Sequence, residues 1–574
     1  MRAFPLLTAI LALAAAPLCA EDFTYKERLI KDLAGCVPTI LGSFDAKTGR
    51  FGRGIWICTD QHSMVPLAVA YATKHPENPY YKKPEILEVI VKAGDALIAD
   101  ADQRGMWVFR KKDGSTWGDI WMPWTYSRWI RTFALVRDDM PADRRKAWED
   151  ALTLGYKGIS GSCLGHLHNI PTHHAMGLYI AGKTLDRPEW RRQAAEFMAK
   201  VIAAQSEGGY WSEGVGPVVA YNFVYIDALG TYYAVSGDQQ VLPALEKAAL
   251  FHRYFTYPNG HNVETVDQRN PYHASVELGN VGFTHTPIGR AYLRNQWACH
   301  QGTLDADLMA SLVLYGEEGP LAPTASEDRF VLREGAAEKA AVIRSGPWFV
   351  CLSAYTAPIV NSRWIQDRQN FISVYHDQVG LVLGGGNTKL QPAWSNFTVG
   401  DPSLLKHTPG DENPVFTPKG GLIHVPSAAR LLAEPGPGLE LTYGQETCRI
   451  HVRIVDERKV EFQLDSTAKS GQPVAARLTA LPRLGRPFET AAGTKGMLDN
   501  APLELTAQQI GGWFGHGGVR LGLPSTATAH WPALPHNPYR KDGRANADEG
   551  RIEVRIPWDS EHSTQQVTLE IGER

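Results

Sequence analysis

An α-helical N-terminal domain followed by an antiparallel β-sandwich is the architecture this chain predicts. Three observations carry it. Helical hydrophobic periodicity runs from Tyr25 to about Tyr315, and short β-branched, often alternating segments follow Gly316. Between them, residues 316–328 form a Pro/Gly-rich linker.

The helical signal is clearest over 84–99. Ile86, Val89, Ile90, Ala93 and Leu97 follow the i, i+3, i+4, i+7 rule, with Lys92 and Asp95 off the stripe. Another helix is expected to start at Asp186 as its cap, with Glu189 as capping-box partner and Pro188 tolerated in the first turn. Similar patterns occupy 25–41, 60–73, 118–136, 141–158, 169–181, 218–235, 241–255 and 286–314. Together they predict about ten to twelve helices with short connections. Helix pairs at regular spacing suit an α/α toroid or bundle. The strand signal is seen in 340–344, 371–375, 380–383 and 449–454, each bounded by Gly, Pro, Asn or Asp. The expected boundaries are a signal peptide at 1–20, a helical domain at 21–318 and a sandwich at 319–574.

Met1-Arg2 is followed by an apolar run from Ala3 to Cys19 and a small residue at Ala20, the pattern of a secretory signal peptide. Cleavage after Ala20 would begin the mature chain at Glu21. Ala16-Pro17-Leu18 before Cys19 lacks the small residues of a lipoprotein site. No later segment holds ~18 uninterrupted apolar residues, so no membrane span is expected. An exported protein, periplasmic or extracellular, is the expectation. The formal net charge of −3 argues against nucleic acid as a partner. Six cysteines follow the leader, scattered without the close pairs of a zinc motif. Mostly buried free thiols are expected, with room for one bridge.

The densest chemistry is His-Leu-His-Asn-Ile-Pro-Thr-His-His at 166–174. A zinc site is the weakest reading, because the spacings are not the i, i+4 pair of a helical zinc motif and the run itself holds no cysteine or acid. A structural role and an acid–base role both stay open for each histidine, the latter because an unperturbed pKa near ~6.5 suits proton transfer at neutral pH. On one helix Asn169 and His173 share a face, whereas His174 points about a hundred degrees away. Downstream, a Gly-rich run at 207–216 drops into a helical pattern carrying Tyr221 and Tyr225 on one face. Trp121 and Trp124 lie in an aromatic cluster with Arg128, and Trp211 precedes Tyr221. Such rings stack on pyranose faces or fill helix cores, and Arg128 could clamp a sugar carboxylate bidentately.

This arrangement resembles the exported (α/α)-toroid polysaccharide lyases, the heparinase II/III-like and alginate lyase group. The resemblance spans nearly the whole mature chain, with weak local motifs. It implies a helical toroid followed by a sandwich. It also implies an Asn opening a helix that ends in small residues, matched by Asn169 through Ala181-Gly182, and a Tyr after a Gly-rich loop, matched by Tyr221. A His on an early sandwich strand is matched best by His376. The chain departs from the group in two places. Ile170, not His, follows Asn169, and the His-x-His-x-Asp run is replaced by Gln366-Asp367-Arg368-Gln369-Asn370. Arg269 and Tyr272 sit in a polar loop similar to the one lining such clefts.

The implied activity is β-elimination on an anionic, uronic-acid-containing polysaccharide. Asn169 would hydrogen-bond the carboxylate as charge develops. Tyr221 would act as acid and also as base, its free pKa of ~10 needing a neighbouring cation such as Arg269 or a protonated His. His173 or His376 would be base or carboxylate neutraliser. No cofactor is expected, and a structural metal in the sandwich stays open. The alternative is a glycoside hydrolase using paired carboxyls such as Glu213 and Asp119, which hydrolysis needs ~5–10 Å apart. A third reading is a glycan-binding protein without turnover.

Overall fold

The computed structural model describes residues 22–323, 327–401, 403, 414–417, 420–467, 469–558 and 563–572. The expected signal peptide lies outside the described residues. Twelve helices precede residue 316: α1 Lys26–Gly42, α2 Met64–Ala72, α3 Pro84–Asp100, α4 Pro123–Val136, α5 Ala142–Ser162, α6 Asn169–Thr184, α7 Pro188–Ala203, α8 Val219–Ser236, α9 Val241–Tyr254, α10 Val281–Thr284, α11 Pro287–Cys299 and α12 Ala306–Tyr315. Even-numbered helices pack on one another in sequence and α12 closes onto α2, while odd-numbered helices pack outside them. This is a closed (α/α) toroid.

The sequence explains the two rings. Inner helices must be covered all round, and α2 (Met-Val-Pro-Leu-Ala-Val-Ala-Tyr-Ala) is buried at every position but its last. Outer helices keep one wet face: α3 buries Ile86, Ile90, Ala93 and Leu97 while Lys92 pairs with Glu88 outside. Burying each such aliphatic side chain contributes about 1.5–3 kcal/mol.

Three expectations are corrected. The segment 118–136 is helical only from Pro123, because Thr116–Ile120 pairs with Trp107–Arg110 as a hairpin. Asp186 does not cap α7; it sits at φ 52°, and Arg187 occupies the cap position without a side-chain bond. The segment 286–314 is two helices, α11 and α12. All six cysteines of the described residues are free, with Cys58, Cys351 and Cys448 buried.

The C-terminal region folds into an eleven-stranded and a nine-stranded sheet, antiparallel at each pairing described. Strand Glu446–Asp456 shows how the sequence fixes the register. Cys448, Ile450 and Val452 point into the core, and the residues between them face outward. The toroid and sandwich meet through a core of their own. Tyr210, Val219, Phe251 and Tyr257 pack there against Leu332, Val342, Phe349 and Tyr355. Inside the sandwich, Asp367 accepts from Lys389 at 2.9 Å, His424 at 3.1 Å and the Leu390 amide at 3.2 Å, with all three side chains fully buried.

Candidate active site

The starts of α6 and α8 come together at the toroid rim facing the sandwich. Helix α6 begins at Asn169 behind His168, whose extended backbone ends the preceding loop. The Gly-rich loop before α8 presents Glu213 to that helix start. One Glu213 carboxylate oxygen accepts the Asn169 amide N–H at 2.9 Å, and the other accepts its side-chain Nδ2 at 2.8 Å. The Tyr225 hydroxyl, one turn into α8, donates to the first oxygen at 2.6 Å. Burial and then the Glu213 charge push the Tyr225 phenol upward, so it stays a donor. Tyr225 stacks on Trp211 at 5.1 Å and 10°, and Trp211 is tied to the Val201 carbonyl at 2.8 Å. Asn169 is thereby held in one orientation.

Tyr221 stands one turn before Tyr225 on the same face of α8. Asp267 fixes this helix start, accepting the Val219 amide at 2.7 Å as well as the Arg269 and Asn270 amides at 2.7 Å each. Arg269 is therefore placed by the residue that places Tyr221. Its guanidinium lies 4.8 Å from the Tyr221 ring centre and donates to the Trp364 carbonyl at 3.0 Å. Burial opposes the Arg269 charge, but Tyr221 and Tyr539 outweigh it and hold the group above its ordinary range. Tyr539, from the sandwich, lies near enough to Tyr221 to couple with it electrostatically and donates to Asn270 at 2.8 Å. The sandwich also grips the loops directly. Arg368 donates to the Val266 carbonyl at 2.9 Å and the Val215 carbonyl at 3.0 Å. It passes Gly216, whose φ of 92° and lack of a side chain leave room for the guanidinium.

Asn169, Tyr221 and Arg269 are thus brought into one cluster, and several other expected residues are not. His173 is buried, 2.8 Å from the Ser127 hydroxyl, and held far below its ordinary pKa by burial, with Arg131 and Arg128 adding to it. Its buried setting disfavours the cationic form that a carboxylate neutraliser would need. His376 bonds the Glu457 carbonyl at 3.0 Å and receives the Gln378 amide at 3.1 Å, packed on Trp348 within the sandwich. Both its ring nitrogens are committed to backbone away from Tyr221. Arg128 is engaged by Asp307 at 2.9 Å and so is not an open clamp. Trp211 is 2% exposed and offers no face to a sugar. Tyr272 bonds His261 at 2.7 Å and packs beside Tyr257. Trp121 bonds the Arg104 carbonyl at 2.9 Å, and half-buried Trp124 lies 6.2 Å from His173.

Two participants escaped the sequence reading, Trp364 and Tyr539, and a third, His168, stood in its histidine run without being singled out. His168 caps α6 close enough to Glu213 to feel its charge, although burial dominates and lowers its pKa. Trp364 packs on Trp117 at 5.6 Å and on Tyr539 at 5.9 Å, forming an aromatic wall beside Arg269. Neither Trp364 nor Tyr539 carries a local motif, since only folding brings them to Tyr221. Glu213 was visible as an acid, but its attachment to Asn169 was not. The pair offered for hydrolysis is not assembled. Glu213 is occupied by Asn169 and Tyr225, while Asp119 is on the hairpin, bonded to Arg104 at 3.1 Å. Among the described residues no group of three or more His, Cys, Asp or Glu could hold a metal ion.

No family sequence model and no curated protein matches the chain. Solved structures do. A crystal structure of heparinase III aligns over 99% of this chain and 88% of its own, at 13% identity and a TM-score of 0.52. A second heparinase III gene product aligns over 96% and 84%, at 12% identity and a TM-score of 0.50. The chain therefore has the heparinase III fold, an (α/α) toroid followed by an antiparallel β-sandwich.

Proposed function

We propose that this protein is an exported polysaccharide lyase that cleaves a uronic-acid-containing chain by β-elimination. The observation that carries the reading is the cluster itself: an amide donor fixed by Glu213, a phenol and a guanidinium at adjoining helix starts. β-Elimination removes the C5 proton, moves its electron pair toward the C6 carboxylate, breaks the C4–O4 bond and protonates O4. The second Asn169 Nδ2 proton, not used by Glu213, would donate to the carboxylate as its enolate forms. Tyr221 would take the C5 proton as phenolate and pass it to the leaving O4 as phenol. Arg269 supplies the positive charge beside that ring. Trp364 and Trp124 offer faces for sugar rings. No metal or cofactor step enters this scheme.

The heparinase III fold supports the lyase reading, as does the engagement of Glu213 by Asn169 and Tyr225. No helix among the described residues is long and apolar enough to cross a membrane, in keeping with an exported enzyme. The test is a panel of uronic polysaccharides differing in epimer and sulfation, followed by product analysis. Unsaturated C4–C5 ends that absorb in the ultraviolet are expected. Saturated reducing ends alone would replace the lyase by a hydrolase, and binding without cleavage would leave a glycan-binding protein.

A further inference from the structure

The sandwich bears a groove of about 1170 Å³, walled by the turn at Asp456–Lys459, the segment 483–489, the hairpin at 515–520 and the end of the last strand at Glu570–Gly572. No toroid residue lines it, and neither Asn169, Tyr221 nor Arg269 is among its walls. Its cations are Arg458, Lys459, Arg483, Arg486, Lys495 and Arg520, against Asp456, Glu489 and Glu570 as acids. That local excess stands on a chain whose formal net charge is −3.

From this groove we infer that the sandwich carries a second, non-catalytic site for an anionic glycan chain. Its guanidinium groups are held in position before any ligand arrives. Arg483 donates to the Val379 carbonyl at 2.7 Å and the Leu381 carbonyl at 3.0 Å, and Arg458 to the Ile571 carbonyl at 2.9 Å. Arg520 lies 4.5 Å over the face of Trp513. Two of the acids are held only loosely: Glu489 stands 3.7 Å from Lys495, and Glu570 stands 3.7 Å from Lys459, which also meets Glu461 at 3.4 Å; Arg486 is exposed with no carboxylate partner among the described residues. The floor is short of side chains, with Gly496, Gly515, Gly517, Gly518 and Gly572 along it. Gly517 is required there, because at φ 62° a Cβ would stand 2.7 Å from Arg483. An open groove of this volume, with several cations spread along its walls, fits repeated carboxylates or sulfates better than one small anion. The choice of glycan over another polyanion rests on the lyase reading of the toroid rim. A polymer held at both places would be retained between cuts, raising its local concentration at Tyr221.

The test is made in the full chain. Tyr221→Phe protein, which should not turn substrate over, is run in affinity electrophoresis through gels holding polyglucuronate, heparin, duplex DNA or neutral dextran. The same assay is repeated with Arg486→Ser, Lys495→Ser and Arg520→Ser added, all at exposed positions. Retardation by polyglucuronate or heparin, weakened about tenfold by the triple change and by added salt, is expected. Which of the two polymers retards assigns carboxylate or sulfate. With Tyr221 restored, the triple variant should raise KM about tenfold on long polymer and leave short oligosaccharides unaffected. Equal retardation with and without the triple change would overturn the site, as would stronger retardation by DNA than by either glycan. Charge reversal at Arg486 alone (Arg486→Glu) repeats the test should the triple variant fold poorly. Glycan binding lost in the variant, with no polymer cleaved by wild type, would keep the groove and remove the lyase.

Discussion

Glu213 at the toroid rim and Asp367 inside the sandwich show two ways of holding a carboxylate. Asp367 is fully buried and meets Lys389 and His424, so its charge is matched by the Lys389 ammonium. All three side chains are sealed from solvent, and the cluster's worth is structural. Glu213 is half-buried and is partnered by an amide and a phenol, both neutral. Those donors are fixed by the carboxylate and keep their remaining valences for the surface. The difference separates a group that fastens buried loop segments from one that aims a neighbour.

Three substitutions and one titration probe that contrast, from the largest effect down. Asp367→Ala leaves a buried ammonium unpaired and should cost about 3–5 kcal/mol of stability, read by denaturant unfolding. Activity per folded molecule should stay unchanged, and a loss of kcat at full stability would contradict the structural assignment. Asn169→Ala should do the reverse. It should lower kcat about 10²–10³-fold while the melting temperature stays near that of the parent. Glu213→Gln keeps the shape but removes the charge, and should lower kcat about tenfold, equivalent to about 1.4 kcal/mol. KM should hardly move, whereas a rise in KM alone would make Glu213 a substrate contact instead.

A smaller effect lies in the toroid core. His252 is fully buried among Phe223, Phe251, Phe283 and Tyr292, and burial lowers its pKa to about 3. The unfolded chain takes up a proton there below about pH 6.5 and the folded chain does not. Stability is therefore full above that pH and is lost progressively as pH falls toward 3. In His252→Leu the decline in melting temperature between about pH 6.5 and 4 should be shallower. An identical slope would show that other groups govern it.

Much of the fold was legible because burial patterns are local. The stripe of α3 and the alternation at Cys448, Ile450 and Val452 are visible in a few turns of sequence. The errors came where tertiary pairing overrode a local pattern, as when Thr116–Ile120 joined a hairpin ahead of Pro123. The site was legible in part. Asn169, Tyr221 and Arg269 stood out by residue type and by the loops before them. His173 shares a face with Asn169 on an ideal helix, yet one turn deeper that face is closed by Ser127 and Trp124. An inner helix is apolar all round, so periodicity could not say where its exposed end stops. Trp211 looked like a sugar platform, but its face is taken by Tyr225. Tyr539 joins Tyr221 across 318 residues of sequence, the difference of their positions, with no motif to announce it.

The central claim is that Tyr221 moves the proton while Asn169 steadies the charge. Its most direct test is Tyr221→Phe, followed by ultraviolet absorbance of unsaturated ends on the uronic polymer that wild type cleaves. The change removes one hydroxyl from a half-buried ring and leaves Asn169, Glu213 and Arg269 in place. Abolished absorbance at unchanged stability, with polymer still bound, is the predicted result. Full retained activity would remove Tyr221 from the chemistry and, with it, this account of the site.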